Sequence, residues 1–266
     1  MPPHSEQIVS RICGALFRGS LALASCSGFA VAAGPVDTLN QARALIVVTT
    51  PDWNSTQARL QTFTRLDGHW QPAEQGFAVA LGRHGSAWGE GLHPAQTQGP
   101  QKREGDGRSP AGVVAISPAF GYASKTDSAM PYQAMSATHY CMDVPSSPLY
   151  NRIVDAKQVG EKAVAGSAKP MRLDLRHAGD ARYSEGVVIA HNAKAIPGRG
   201  SCIFAHLWRM PGQFTAGCTA MAASHMQRLL AWLKPEAHPL FVLLPRTEYA
   251  RLYTAWRLPA LTEDAP

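Results

Sequence analysis

From residue 42 onward, turn residues cut the chain into short runs of β-forming residues, and this punctuation limits the fold more than any other feature. Residues 42–50 read Ala-Arg-Ala-Leu-Ile-Val-Val-Thr-Thr and stop at Pro51-Asp52. Residues 57–67 alternate apolar and polar around Leu60, Thr62, Thr64 and Leu66 and end in Asp67-Gly68, a pair suited to a hairpin turn. Trp70 opens the return strand. Residues 77–81, 112–117, 137–144, 171–175, 186–190 and 239–244 read as further strands. One stretch, residues 222–233, carries a clear helical stripe in Met226, Leu229, Leu230 and Leu233; residues 248–256 are a second candidate. Many strands at short spacing with one clear helix predict a mostly-β sandwich or barrel.

A length of 266 residues, 45% of them hydrophobic and 17% charged, describes a globular chain able to bury a sizeable core. The net charge of +6 is scattered, and clusters such as Gln101-Lys102-Arg103 lack interleaved aromatics. We therefore expect no nucleic-acid partner; a carboxylate-bearing polymer suits such a surface better. Arg11 and Arg18 precede an apolar run that reaches Ala33, and Ala30-Val31-Ala32 fits a cleavage site, so residues 1–33 read as an export signal. Leu23-Ala24-Ser25-Cys26 also fits a lipoprotein box, with Cys26 as the lipid anchor. Residues 34–258 are expected to form one domain with no integral membrane span, followed by a tail at 259–266. The working domain would then lie in the periplasm or cell envelope. Setting aside Cys13 and Cys26, three cysteines remain: either one bridge and one free thiol, or three thiols. Our choice for a bridge is Cys141–Cys202, with Cys218 left reduced. No metal-ligand spacing appears, and neither a metal nor a cofactor is expected.

Chemistry concentrates in Gly200-Ser201-Cys202-Ile203-Phe204-Ala205-His206-Leu207-Trp208 and Thr215-Ala216-Gly217-Cys218-Thr219-Ala220-Met221. A turn at Pro211-Gly212 is expected to bring His206 back towards Cys218 as base and nucleophile. A thiol is mostly protonated at neutral pH, so it needs a partner that takes its proton. A helix start beside Cys218 would add to the effect. Upstream, Lys102-Arg103-Glu104-Gly105-Asp106-Gly107-Arg108-Ser109-Pro110-Ala111-Gly112 packs glycines, a proline and charges into one loop. Taken alone it reads as a solvated turn.

That loop, followed downstream by Gly-Ser-x-Ile-Phe-x-His and Thr-x-Gly-Cys, resembles the L,D-transpeptidase (YkuD-type) catalytic domain. Met130-Pro131-Tyr132, Tyr140-Cys141-Met142-Asp143, the stretch 150–155 and the stretch 186–192 extend the resemblance, which runs over roughly residues 42–245. It implies a YkuD-like β-sandwich with one or two packed helices. It also implies Cys218 as the acylated nucleophile and His206 as the general base. Gly217 would supply the tight backbone before the nucleophile, and Thr215 matches the Ser/Thr of the motif. Backbone N–H groups around Gly217 and Cys218 would form the oxyanion hole.

The implied reaction attacks the carbonyl joining diaminopimelate to D-alanine in a peptidoglycan stem peptide, releases D-alanine, and passes the acyl group to an amine. Water as acceptor would make the chain a hydrolase, and a non-catalytic peptidoglycan-binding module is a third reading. The sequence departs from the common Ser/Thr-His-Gly-Cys motif at Ala216. It departs again at Ala220, where Asn or Arg is common, and in a shorter His-to-Cys spacing. His191 and Asn192 are candidates for lining the same cleft, and Arg199 for holding a substrate carboxylate. Glu104 and Asp106 share one loop and offer no opposed geometry for glycosidase chemistry.

Overall fold

The computed structural model describes residues 35–261; the expected export signal, the Cys26 anchor and most of the expected tail lie outside them. Eight strands form a ring. In chain order they are β1 (Ala44–Thr50), β2 (Gln57–Leu66), β3 (Phe77–Ala80), β4 (Ser109–Gly121), β5 (Glu185–Ile189), β6 (Phe204–Leu207), β7 (Thr219–Met221) and β8 (Leu240–Pro245). Around the ring the order is β1-β8-β4-β5-β6-β7-β3-β2, and pairing of β2 with β1 closes it. The chain is therefore mostly β. The expected two-sheet sandwich is met only at that level, because Ala44–Thr49 pairs with β2 on one side and Leu45–Thr50 with β8 on the other, leaving β1 no open edge.

The sequence explains the central strands directly. β1 (ALIVVTT) and β8 (LFVLLP) are buried along their whole length, as unbroken apolar runs require when both faces are covered. Asp67 and Gly68 take φ of 48° and 80°, the double left-handed step that a two-residue hairpin needs. Helix α1 (Ala223–Trp232) turns Met226, Leu229 and Leu230 onto the main core, and α2 (Arg246–Leu252) adds Tyr249 and Leu252. Among the described residues, no helix is long and apolar enough to cross a membrane.

Some local expectations fail. Residues 171–175 hold a 3-10 turn (Leu173–Leu175), and the strand expected over 137–144 shrinks to His139–Cys141. Both lie in the long excursion between β4 and β5, which has a small apolar cluster of its own around Tyr140, Met142, Ala156 and Val164. A disulfide between Cys141 and Cys202, with Cα atoms 5.9 Å apart, ties this excursion to the lead-in of β6, as chosen from the sequence. β6 and β7 do not form a hairpin. They are parallel neighbours, with Ala205 opposite Thr219, and the chain between them bonds to residues 81–83 before re-entering the sheet.

Candidate active site

The parallel register sets the site. His206 lies on β6 opposite Ala220, and Cys218 sits in the bend immediately before β7. The thiol is free and the residue is 3% exposed. The Sγ of Cys218 accepts the backbone N–H of Phe204 at 3.4 Å and lies 3.6 Å from the carbonyl oxygen of Cys202. The Nζ of Lys169 approaches it to 3.7 Å. The same ammonium donates to the Cys202 carbonyl and lies 5.0 Å from the centre of the Phe204 ring.

These neighbours decide the ionisation of the thiol. Burial alone would push it up, but the Lys169 ammonium and a hydrogen bond from His206 outweigh burial and bring it down to about 6. Burial likewise disfavours a charged Lys169, yet the facing Cys218 thiolate raises its affinity for the proton. Lys169 is thus a fixed cation beside the sulfur and not a base. His206 is buried and its Nδ1 lies 2.7 Å from the Leu207 carbonyl, an arrangement in which Nδ1 donates and Nε2 is left for the thiol. Tyr183 packs edge-on against His206 at 5.1 Å and against Phe204 at 5.8 Å. Its hydroxyl is pushed up to about 12, chiefly by burial, so it remains a neutral wall. The expected helix start beside Cys218 is absent, because β7 stands between the cysteine and α1. The acidity comes from the lysine and the histidine.

The bend before β7 is braced from two directions. Thr215 Oγ1 donates to the Cys218 carbonyl at 2.7 Å and accepts the Gly217 N–H at 3.0 Å. Ser109 Oγ donates to the same carbonyl at 3.1 Å and accepts the Gly82 N–H at 3.0 Å. Gly217 has φ of 142°, and a Cβ there would come within 2.9 Å of the Arg108 carbonyl oxygen, so glycine is required. The charged loop upstream is therefore not a solvated turn. Asp106 gathers Lys102 Nζ at 2.5 Å and the backbone N–H groups of Arg103 and Arg108, and this fixes Ser109 and the Arg108 carbonyl against the nucleophile bend.

The other expected residues lie elsewhere. His191, 2% exposed, has Nδ1 3.1 Å from the Glu90 carbonyl and Nε2 2.9 Å from the Arg199 carbonyl, and burial drives its pKa down to about 4. Asn192 fastens its own loop through Ile196 and Gly200. Arg199 is exposed and faces Glu90 at 3.7 Å. None of the three lines the pocket over Cys218. Two residues that do line it, Lys169 and Tyr183, escaped the sequence reading: Lys169 stands before Pro170 in an irregular loop, where no periodicity or spacing marks it. The pocket encloses about 100 Å³.

Comparison with protein-family models, with curated proteins and with solved structures finds no match for the chain.

Proposed function

We propose that the chain is a cysteine acyltransferase of the L,D-transpeptidase type acting on peptidoglycan stem peptides. The observation that carries this reading is the free Cys218 thiol, lowered to about 6 between the Lys169 ammonium and His206 at the floor of a pocket. A buried thiol in a binding module has no need of such an arrangement. The order of motifs along the chain supports the same reading, and with it a YkuD-like β-sandwich. The apolar run before Ala33 supports export, with the working domain in the periplasm or cell envelope.

In this mechanism the Cys218 thiolate adds to the diaminopimelate carbonyl. The oxygen of the tetrahedral intermediate becomes negative. The Gly217 N–H is held by Thr215, so the Cys218 N–H is the donor that the bend offers to this oxygen. Collapse breaks the C–N bond; His206 gives the thiol's proton to the departing D-alanine amine, and a thioester remains. His206 then takes a proton from the incoming amine, the C–S bond breaks, and the thiolate returns to Lys169. No cofactor enters these steps. Water in place of the amine would give an L,D-carboxypeptidase or a cross-link peptidase from the same dyad. The test is D-alanine release from a stem tetrapeptide with and without an amine acceptor. The transferase reading expects an amide product that grows with the acceptor concentration, whereas release of free tripeptide alone would assign a hydrolase.

A further inference from the structure

The lining of the pocket over Cys218 includes two arginines, Arg182 and Arg209. Both converge on Asp180, whose side chain is only 2% exposed. Arg182 meets it through Nε and Nη2, with a closest approach of 2.6 Å, and Arg209 through Nη2 at 3.4 Å. That leaves Nη1 of Arg182 and both Nε and Nη1 of Arg209 for a ligand. The arginine side chains are 35% and 56% exposed while the carboxylate that holds them is 2% exposed, so the guanidiniums and not Asp180 are open to a ligand.

The charges do not cancel. Two guanidiniums against one aspartate leave one positive charge, and Lys169 is already matched by the Cys218 thiolate. Asp180 sits behind the arginines, and the lining of the pocket itself includes no acidic residue. Gln213 adds a further polar atom: its Oε1 is buried and has no hydrogen-bond partner. A planar guanidinium pair beside an acceptor suits a carboxylate next to an N–H group, as at the end of a peptide.

We infer that Arg182 and Arg209 form a carboxylate subsite that selects acyl donors carrying a free carboxylate close to the scissile carbonyl. The role expected of Arg199 thus belongs to residues that share the thiol's pocket. The inference rests on Cys218 as the nucleophile, and it is tested without the proposed turnover. Iodoacetate and iodoacetamide both alkylate a thiolate, forming the C–S bond as iodide leaves, and they differ in the carboxylate. The wild-type ratio of iodoacetate to iodoacetamide rates at Cys218 should fall about tenfold in Arg209→Gln, as loss of a charge-assisted contact implies. The iodoacetamide rate itself should stay unchanged, which also reports an intact fold. Arg182→Lys, which keeps a charge on Asp180 but loses the fork, should fall less. A ratio unchanged in Arg209→Gln overturns the subsite and leaves the nucleophile standing. In a second arm, stem tetrapeptides amidated at the D-alanine carboxylate or at the diaminopimelate carboxylate identify which group binds. The relevant amide should lose kcat/KM in wild type and not in Arg209→Gln; equal loss in both proteins overturns the assignment.

Discussion

The Nζ of Lys169 stands 3.7 Å from the Sγ of Cys218, although 49 positions separate the two residues. Lys169 belongs to the excursion between β4 and β5, and Cys218 to the bend before β7. The Cys202 carbonyl, which accepts from the Lys169 ammonium and lies 3.6 Å from the sulfur, links them. An acidic thiol here is therefore a property of two chain segments held together.

Lys169→Met tests that pairing through pH. The thiolate is the form above the pKa, so alkylation of Cys218 should titrate in with a midpoint near 6 in wild type. Without the ammonium the midpoint should move up towards the ordinary thiol value of 9.0. For a shift of that size the thiolate fraction at pH 7 falls about 100-fold while the nucleophilicity of the more basic thiolate rises about 20-fold. The midpoint is thus a sharper readout than the rate at one pH. A midpoint left near 6 would remove Lys169 from the account.

The disulfide should matter for reactivity as well as stability. Cys202 has φ of 57° and carries the carbonyl that holds Lys169, and its bond to Cys141 spans 61 positions. Loop-closure entropy alone makes such a bridge worth about 4 kcal/mol. A Cys141→Ser/Cys202→Ser variant should unfold at lower denaturant concentration, and its Cys218 midpoint should rise. Loss of stability with an unmoved midpoint would confine the bridge to holding the excursion.

His206→Ala should slow acylation by stem peptide about 10²–10⁴-fold, the usual range for a positioned acid–base group. Raising the pH should restore part of the loss, because more thiolate forms without the histidine. A pH-independent defect would argue for a packing role against Tyr183.

Gly217→Ala probes the bend. The added Cβ would meet the Arg108 carbonyl oxygen at 2.9 Å on a backbone at φ 142°, so the bend must shift and carry Cys218 with it. We expect a folded protein by circular dichroism with acylation reduced at least tenfold, the effect of about 1.4 kcal/mol of misplacement. Thr215→Val, which removes both hydrogen bonds of the clip, should show a smaller loss of the same kind.

Much of this was legible in the chain. The unbroken apolar runs of β1 and β8, the Asp67-Gly68 turn and the stripe of α1 each announce their structure through local chemistry. His206 and Cys218 stand out not by residue type alone but by the order of motifs around them, Gly-Ser-x-Ile-Phe-x-His and then Thr-x-Gly-Cys. Closure of the ring was not legible, because it depends on β2 pairing with β1 and not on either strand's own pattern. The parallel relation of β6 and β7 was hidden for the same reason: Pro211-Gly212 reads as a reversal, but the following residues run beside 81–83 before β7 begins. Lys169, Arg182 and Arg209 carry no spacing signal, since a disulfide and a buried aspartate bring them to the pocket.

An activated Cys218 in an acyl-accepting site should open a β-lactam ring and keep the acyl group as a thioester. Intact-mass measurement of the protein after exposure to a carbapenem, beside Cys218→Ser, tests it most directly. We predict one covalent adduct in wild type, mapped to Cys218 by peptide analysis, and none in the variant. An unmodified wild-type protein whose Cys218 is also slow towards iodoacetamide at pH 7 would show an unactivated thiol and favour a binding module.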